Sequence, residues 1–144
     1  MLKGLSPLLT PELLKILSEM GHGDEIVLAD GNFPSEAIGK RVVRLDAHTG
    51  TDVLKAVMSV FPLDTYSDPN AMLMEVVPGD NVETPIWDEY SRIMNDSEGD
   101  KVRIGHIERF AFYDRAEKAY AVIATGETAL YANLILKKGV IVPT

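Results

Sequence analysis

A run of four apolar residues, Ile26-Val27-Leu28-Ala29, places the tightest limit on the fold of this chain. The run has no polar interruption and is too short for a helix core, so it predicts a strand buried on both faces. Strands of that kind are typical of parallel sheets whose two faces are covered by helices. Asp30 then lies at the carboxyl end of the strand, where ligands bind in open α/β sheets.

The residues on either side of this strand predict an open site. The sequences Gly31-Asn32 and Phe33-Pro34 are typical of a sharp turn after the strand. Before the strand, Gly21 and Gly23 flank His22 and leave room for a ligand beside the imidazole. We therefore expect one strand edge to offer both a carboxylate and a group that titrates near neutrality. The alternatives are a solvated loop histidine and an aspartate that only forms the turn.

Strand-like and helix-like segments alternate along the chain, which predicts an α/β fold. Helices are expected from Pro11, capped by Thr10, to position 21; from a cap at Thr51 or Asp52 through Phe61; from Thr84-Pro85 through Met94; and over 109–119. The predicted strands are 25–30, 41–45, 72–77, 102–104, 120–125 and 133–136, and polar loops are expected at 64–70 and 95–100. We expect one domain over residues 1–144, with no internal repeat or linker.

Composition excludes several classes of partner. A chain of 144 residues can bury a core without staples, and the absence of cysteine excludes disulfide and thiolate chemistry. The 14 basic and 22 acidic residues give a net charge of −8, which would repel a nucleic acid. There is no apolar run of bilayer length and no signal-peptide pattern. We therefore expect a cytoplasmic protein that binds neither membranes nor nucleic acid.

The sequence also lacks the usual motifs for metals and cofactors. His22, His48 and His106 include no pair at helical spacing, so the case for zinc is weak, and the last two are interpreted as structural or solvated. Neither a phosphate-binding glycine loop nor a Gly-x-Ser-x-Gly elbow is present. We therefore expect no metal and no cofactor, and acid–base chemistry on an uncharged ligand remains.

Three stretches resemble the ribose/fucose mutarotase family, and they occur in the family's order. They are residues 20–34, the sequence Arg-Phe-Ala-Phe-Tyr-Asp-Arg-Ala at 109–116, and Thr-Gly-Glu-Thr-Ala-Leu-Tyr-Ala-Asn at 125–133. The segments 1–17 and 135–140 are similar as well, so the resemblance spans nearly the whole chain and is closest to the L-fucose branch. It implies a mixed, largely parallel sheet flanked by helices and a decameric ring with sites near subunit contacts.

The same resemblance implies a role for each of five residues. His22 matches the general acid of the family, and Asp30 matches a ligand of sugar hydroxyl groups. Arg109 matches a sugar-binding position of the fucose branch. Tyr131 and Asn133 match the Tyr-x-Asn contact with the sugar.

Other interpretations of the site remain open at this point. Tyr113 and Tyr120 are both candidates for a second proton carrier, and both also fall on patterns typical of core aromatics. Arg109 has its own alternative as a surface residue paired with Glu108 or Asp114.

Mutarotation is a reaction that this set of residues can catalyse. Opening a sugar ring requires one proton at the ring oxygen and the loss of another from the anomeric hydroxyl, without electron or group transfer. The reaction proceeds slowly in water, and one placed general acid or base contributes roughly 10²–10⁴-fold. The resemblance thus implies a cofactor-free isomerase acting on a monosaccharide, most closely L-fucose. The alternatives are a ribose pyranase of the same family, a non-catalytic sugar-binding transport accessory protein and a structural ring subunit.

Overall fold

The computed structural model describes residues 1–144 and contains one mixed six-stranded sheet with helices on both faces. The strands are β1 Glu25–Ala29, β2 Val42–Leu45, β3 Ala71–Met74, β4 Ile104–Ile107, β5 Ala121–Thr125 and β6 Leu134–Lys137. The helices are α1 Pro11–Glu19, α2 Ser35–Ile38, α3 Gly50–Met58, α4 Pro85–Glu98 and α5 Arg109–Lys118, with a single 3₁₀ turn at Gly99–Lys101.

The strand order is β2-β5-β1-β6-β3-β4. Strand β5 pairs in parallel with β1 and β2, and β3 pairs in parallel with β4. Strand β6 lies between β1 and β3 and is antiparallel to both. Five strands therefore point in one direction and only β6 opposes them, which confirms the mixed, largely parallel sheet that the resemblance implies.

Strand β1 is apolar throughout because each of its faces meets a different core. Ile26 and Leu28 belong to the larger cluster of buried side chains, with residues of α1, α3 and α4. Val27 and Ala29 point the opposite way into a smaller cluster with Phe112 of α5. Successive side chains of a strand alternate between its faces, so a doubly covered strand has no position for a polar residue.

Most helix boundaries follow the predicted signals. Thr10 caps α1, since its hydroxyl oxygen accepts a hydrogen bond from the backbone N–H of Leu13 at 3.2 Å. The predicted cap of α3 at Thr51 or Asp52 is wrong, because Thr49 takes that position and accepts from the N–H of Asp52 at 3.2 Å.

Other element boundaries also differ from the prediction. Helix α4 continues to Glu98 through a segment predicted as loop, and it ends where Gly99 adopts a φ of 61°. The four-residue helix α2 was not predicted, because it is too short to produce a periodic pattern. Strand β3 ends at Met74, before the predicted 77, and β4 runs to Ile107.

The directions of the strands determine which chain segments meet. Segments that follow β1, β3, β4 and β5 all lie at the carboxyl edge of the sheet, and the segment that precedes the antiparallel β6 lies there too. The opposite edge collects the segments that precede β1, β3 and β5. We call the edge where β1, β3, β4 and β5 end the carboxyl edge, and the opposite edge the amino edge.

Asn70, just before β3, is fully buried and fixes the amino edge. Its amide nitrogen donates to the carbonyls of Asp64 and Lys101 at 2.8 and 2.7 Å, and its amide oxygen accepts from the N–H of Arg103 at 2.9 Å. Asn70 therefore joins the segment that precedes β3 to the segment that precedes β4, through three backbone groups.

We expect Asn70→Ala to lower the free energy of unfolding by roughly 3 kcal/mol, because an unpaired buried polar group costs about 1–3 kcal/mol. The measurement is urea denaturation followed by circular dichroism. Asn95→Ala is the control, since Asn95 is exposed on α4 and bonds only Ser91, at 3.3 Å; it should change stability by less than about 0.5 kcal/mol. Equal effects of the two substitutions would contradict this interpretation of Asn70.

Candidate active site

A pocket of about 460 Å³ opens at the carboxyl edge of the sheet. That volume lies within the roughly 300–1,000 Å³ that is typical of small-molecule sites. The pocket is lined by seven residues with polar groups and four apolar ones: Asp30, Asn32, Asp80, Arg109, Tyr113, Tyr131 and Asn133, with Phe33, Met74, Val77 and Leu130.

Asp30 and Asn133 meet in this pocket because β1 ends where the antiparallel β6 begins. The backbone N–H of Asp30 donates to the side-chain amide oxygen of Asn133 at 2.8 Å. The Asp30 carboxylate accepts from the N–H of Asn32 at 3.0 Å and forms no ion pair. Only 6% of Asp30 is exposed. Burial raises its pKa above the ordinary range, against the opposing effect of hydrogen bonds from the backbone N–H groups.

Helix α5 places Arg109 and Tyr113 one turn apart at the mouth of the pocket. The Nε–H of Arg109 donates to the Tyr113 hydroxyl oxygen at 3.3 Å. The alternative for Arg109 is not observed, because it forms no ion pair with Glu108 or Asp114. The Glu108 carboxylate instead caps α5, accepting from the N–H groups of Phe110 and Ala111, each at 3.0 Å.

Tyr131 also lines the pocket, and its phenol forms hydrogen bonds with the segment that follows β3. The phenol donates to the Asp80 carboxylate at 2.6 Å and accepts from the N–H of Val77 at 3.2 Å. The bond to Asp80 raises the pKa of Tyr131, so the phenol remains protonated. Its proton is used in this bond, and one oxygen lone pair is left to accept from a ligand.

His22 does not lie in this pocket. It precedes β1 whereas Asp30 follows it, and five strand residues at about 3.3 Å each separate them by roughly 15 Å. The expectation that one strand edge carries both groups is therefore wrong within a single chain. The side chain of His22 is 44% exposed at the amino edge, where its ring centroid lies 5.4 Å from that of Tyr66.

Asp64 is the partner of His22, and sequence reasoning missed it. Its carboxylate lies 2.9 Å from His22 Nε2, and its side chain is only 2% exposed. Burial alone would raise the pKa of Asp64, but hydrogen bonds from Ser67, His22 and the N–H of Tyr66 together lower it to about 2. The carboxylate is thus ionised and accepts the Nε2 proton, which leaves Nδ1 as the nitrogen that can exchange a proton. Asp64 lies in the polar segment 64–70, which is predicted as a loop, and no motif in that segment indicates this role.

The structure separates the two candidate tyrosines. Tyr113 lines the pocket at the carboxyl edge. Tyr120 lies at the amino edge, where its phenol donates to Glu19 at 2.9 Å and the Arg41 guanidinium stacks 3.9 Å from its ring centroid. Within one chain, only Tyr113 is close to Asp30 and Asn133.

The other histidines lie outside the pocket. His48 is half-buried in the turn before α3 and forms no side-chain hydrogen bond, and exposed His106 packs its ring 4.8 Å from that of Trp87. No group of three or more histidine or carboxylate side chains is arranged to hold a metal ion. None of the helices combines the length and the apolar character needed to cross a membrane.

Besides Asp64, sequence reasoning missed Asp80 and the apolar residues that line the pocket. Asp80 reads in the sequence as part of the Pro78-Gly79-Asp80 break after a strand. Phe33 is predicted as part of the turn after the first strand and Met74 as part of a strand, and both are buried while they line the pocket. No local pattern distinguishes a core side chain from one that also faces a ligand.

The fold and the pocket define the class of this protein. It is a mixed α/β protein whose pocket combines a buried carboxylate without an ion pair, an amide, a guanidinium, phenols and apolar side chains. Residues 3–141 match the RbsD / FucU transport protein family. The chain belongs to that family, which confirms the resemblance inferred from the three motifs.

Individual relatives are similar over almost their full length. The fucose mutarotase of Danio rerio is 52% identical over 148 aligned positions, covering 99% of this chain and 95% of its own. The structure of FucU from Bifidobacterium longum is 58% identical with a TM-score of 0.92, covering 97% of this chain and 100% of its own. The structure of the fucose mutarotase in complex with L-fucose from Streptococcus pneumoniae is 45% identical with a TM-score of 0.93, covering 98% and 100%.

The pKa of Asp64 predicts a pH dependence of stability. A carboxyl whose pKa is lower in the folded chain stabilises the fold above its unfolded pKa, 3.8, and loses that contribution as the pH falls towards about 2. We expect wild type to be more stable than Asp64→Asn by a constant amount above about pH 4, with the difference shrinking below it. Urea titrations from pH 7 to pH 2.5 measure this.

The matched control is Asp96→Asn, because Asp96 is exposed on α4 and forms no side-chain hydrogen bond. It should shift the urea midpoint little at any pH. A wild-type advantage over Asp64→Asn that is as large at pH 2.5 as at pH 7 would contradict the lowered pKa of Asp64.

Proposed function

We propose that this chain, acting as one domain over residues 1–144, is a cofactor-independent mutarotase that interconverts the α and β anomers of L-fucose. The observation that carries the proposal is the near-complete match to a fucose mutarotase whose structure holds L-fucose. The pocket at the carboxyl edge supports it through chemistry. L-fucose is an uncharged 6-deoxy sugar, so it presents hydroxyl groups and a methyl group to a pocket that is lined by both polar and apolar side chains.

The polar side chains divide the recognition of the sugar. The Asp30 carboxylate accepts hydrogen bonds from two neighbouring hydroxyl groups, and Arg109 donates to a third. The amide oxygen of Asn133 is occupied by the N–H of Asp30, so its amide nitrogen is the group left to donate. Tyr131 accepts with its remaining lone pair, because its proton is held by Asp80.

Proton transfer is assigned to His22, with Tyr113 as the candidate second carrier. The protonated imidazole of His22 donates its Nδ1 proton to the ring oxygen as the bond between that oxygen and the anomeric carbon breaks, and the anomeric hydroxyl gives its proton to a water molecule held by the Tyr113 phenol. The resulting aldehyde turns, and the ring closes by the reverse transfers. The Asp64 carboxylate orients the imidazole by accepting the hydrogen bond from its other ring nitrogen, Nε2. Tyr120 lies at the amino edge beside Glu19 and is the weaker candidate.

Since His22 lies at the amino edge, we propose that it completes the pocket of a neighbouring subunit in a homo-oligomer, a decameric ring by family resemblance. Exposed apolar side chains at both edges support a subunit contact there. Leu130 and Phe110, beside the pocket, are 53% and 64% exposed, and Tyr66, beside His22, is 79% exposed. A closed ring repeats one heterologous contact and completes every pocket in the same way.

We also place the enzyme in the cytoplasm, with a monosaccharide as its ligand and neither nucleic acid nor a membrane as partner. The absence of cysteine and the net charge of −8 support this assignment.

The first test is two-dimensional exchange NMR of anomeric protons with L-fucose, D-ribose and D-galactose. We expect the protein to accelerate the exchange of L-fucose most, with no added metal or nucleotide and no effect of a chelator. Acceleration of D-ribose alone would identify a ribose pyranase instead. Sugar binding without any acceleration would identify a transport accessory protein.

The second test concerns His22. We expect His22→Asn to slow L-fucose exchange by roughly 10²-fold or more, because an amide cannot transfer the proton, while sugar affinity changes little. Asp30→Ala should weaken binding as well as rate. His48→Asn is the control and should leave both unchanged. If His22→Asn retains its rate and Tyr113→Phe does not, the proton carrier is the phenol.

The third test concerns assembly. Light scattering should give a mass near ten times 15.8 kDa, and 15.8 kDa at micromolar concentration would contradict the ring. Refolding His22→Asn together with Asp30→Ala should restore exchange activity, because some mixed pockets then receive an intact group from each subunit. No recovery in a properly assembled mixture would contradict the shared site.

A further inference from the structure

The segment 126–133 connects β5 to β6 and is called the pocket loop. Two side chains of helix α4 donate hydrogen bonds to consecutive carbonyl groups of this loop. The indole N–H of Trp87 donates to the carbonyl of Tyr131 at 2.8 Å, and the hydroxyl of Tyr90 donates to the carbonyl of Ala132 at 3.0 Å. Neither Trp87 nor Tyr90 lines the pocket. Both therefore act on the site through the backbone.

The backbone at this point is unusual. Tyr131 has a φ of 56° and is the one residue other than glycine in the left-handed region. A bulky side chain rarely adopts that conformation, and it persists where surrounding contacts enforce it. The carbonyl of Tyr131 and that of the next residue are the groups whose directions depend on this conformation. They are the two groups that α4 binds.

The left-handed residue connects both sides of the pocket. Its own phenol bonds Asp80, and two positions later the Asn133 side chain receives the N–H of Asp30. If Tyr131 relaxed to an ordinary φ, the chain direction would change between these two contacts. The phenol and the amide would then no longer hold their present separation.

The neighbouring helix α3 leaves the space that Tyr90 needs. A side-chain carbon at Gly50 would collide with the Tyr90 hydroxyl oxygen. Gly50 also anchors the start of the loop, since its N–H donates to the Glu127 carboxylate at 3.0 Å. The second oxygen of that carboxylate accepts from the N–H of Ala129, also at 3.0 Å. The loop is thus fixed near both of its ends by buried groups that never touch the pocket.

We propose that Trp87 and Tyr90 are positioning residues of the site, which hold Tyr131 in the left-handed conformation and so set the places of the Tyr131 phenol and the Asn133 amide before a sugar binds. Their effect on catalysis rests on the proposed mutarotase function. Their effect on the loop does not, because it precedes binding. Groups fixed in advance lose less conformational entropy on binding and meet the reacting atoms in one geometry.

The sugar-free test is hydrogen exchange measured by mass spectrometry on Trp87→Phe and Tyr90→Phe. The reporter is the amide of Asp30, whose acceptor is the Asn133 side chain, and the reference is the segment 26–28 of β1. We expect the Asp30 amide to exchange about tenfold faster in both variants while the reference stays within about twofold. In L-fucose exchange NMR, both variants should show about a tenfold rise in KM with a smaller change in kcat.

Two further variants separate positioning from general destabilisation. Met94→Ala removes a fully buried side chain of α4 that forms no hydrogen bond to the loop. It should lower the urea midpoint without changing the ratio of Asp30 exchange to reference exchange. Gly50→Ala places a methyl group where the Tyr90 hydroxyl lies, so it should accelerate exchange of the Asp30 amide as Tyr90→Phe does. The double variant should show no further acceleration.

Two results would contradict the positioning role of Trp87 and Tyr90. The first is that the Asp30 amide exchanges faster only when the whole of β1 does, and the second is that both α4 variants keep the wild-type exchange rate of this amide and the wild-type KM. A different result separates it from the proposed function. If wild type does not accelerate L-fucose exchange but Asp30 loses protection in the two variants, the mutarotase proposal is wrong and the role of α4 in holding the loop stands.

Discussion

The single antiparallel strand of the sheet is the constraint on which the site depends. Because β6 runs against β1 and β3, its first residues enter at the edge where the other strands end. Asn133 can therefore bond the N–H of Asp30, although the two are 103 positions apart in the chain. If β6 were parallel, Asn133 and Tyr131 would lie at the amino edge, and the pocket would lose one of its sides.

The same geometry divides the functional groups between two edges. His22 precedes β1 and Asp30 follows it, so the length of that strand keeps the two side chains apart within one chain. Each edge has one buried carboxylate, Asp30 or Asp64. Asp30 has no cation beside it, whereas Asp64 holds an imidazole at 2.9 Å. Assembly of subunits is the simplest way to bring the two edges together.

Two residues of the pocket are in states that are locally unfavourable. Tyr131 takes a backbone conformation that its side chain disfavours, and Asp30 keeps a carboxylate where burial raises its pKa. Both are local departures from the most stable choice, and such departures concentrate at functional sites. Buried groups outside the pocket, among them Tyr90 and Glu127, form hydrogen bonds with the backbone of the loop that contains Tyr131. No sequence motif marks either residue for this role.

The sequence by itself determined the strands, four of the five helices and the family. Uninterrupted apolar runs and end signals such as Thr10-Pro11 act locally, so they can be read without the fold. The motifs also named the residues at the carboxyl edge, Asp30, Arg109, Tyr131 and Asn133. Only the tertiary structure decided that His22 is paired with Asp64, and that Tyr113 rather than Tyr120 faces the pocket. Those facts depend on strand order and direction, which are set by packing between distant segments and leave no local pattern.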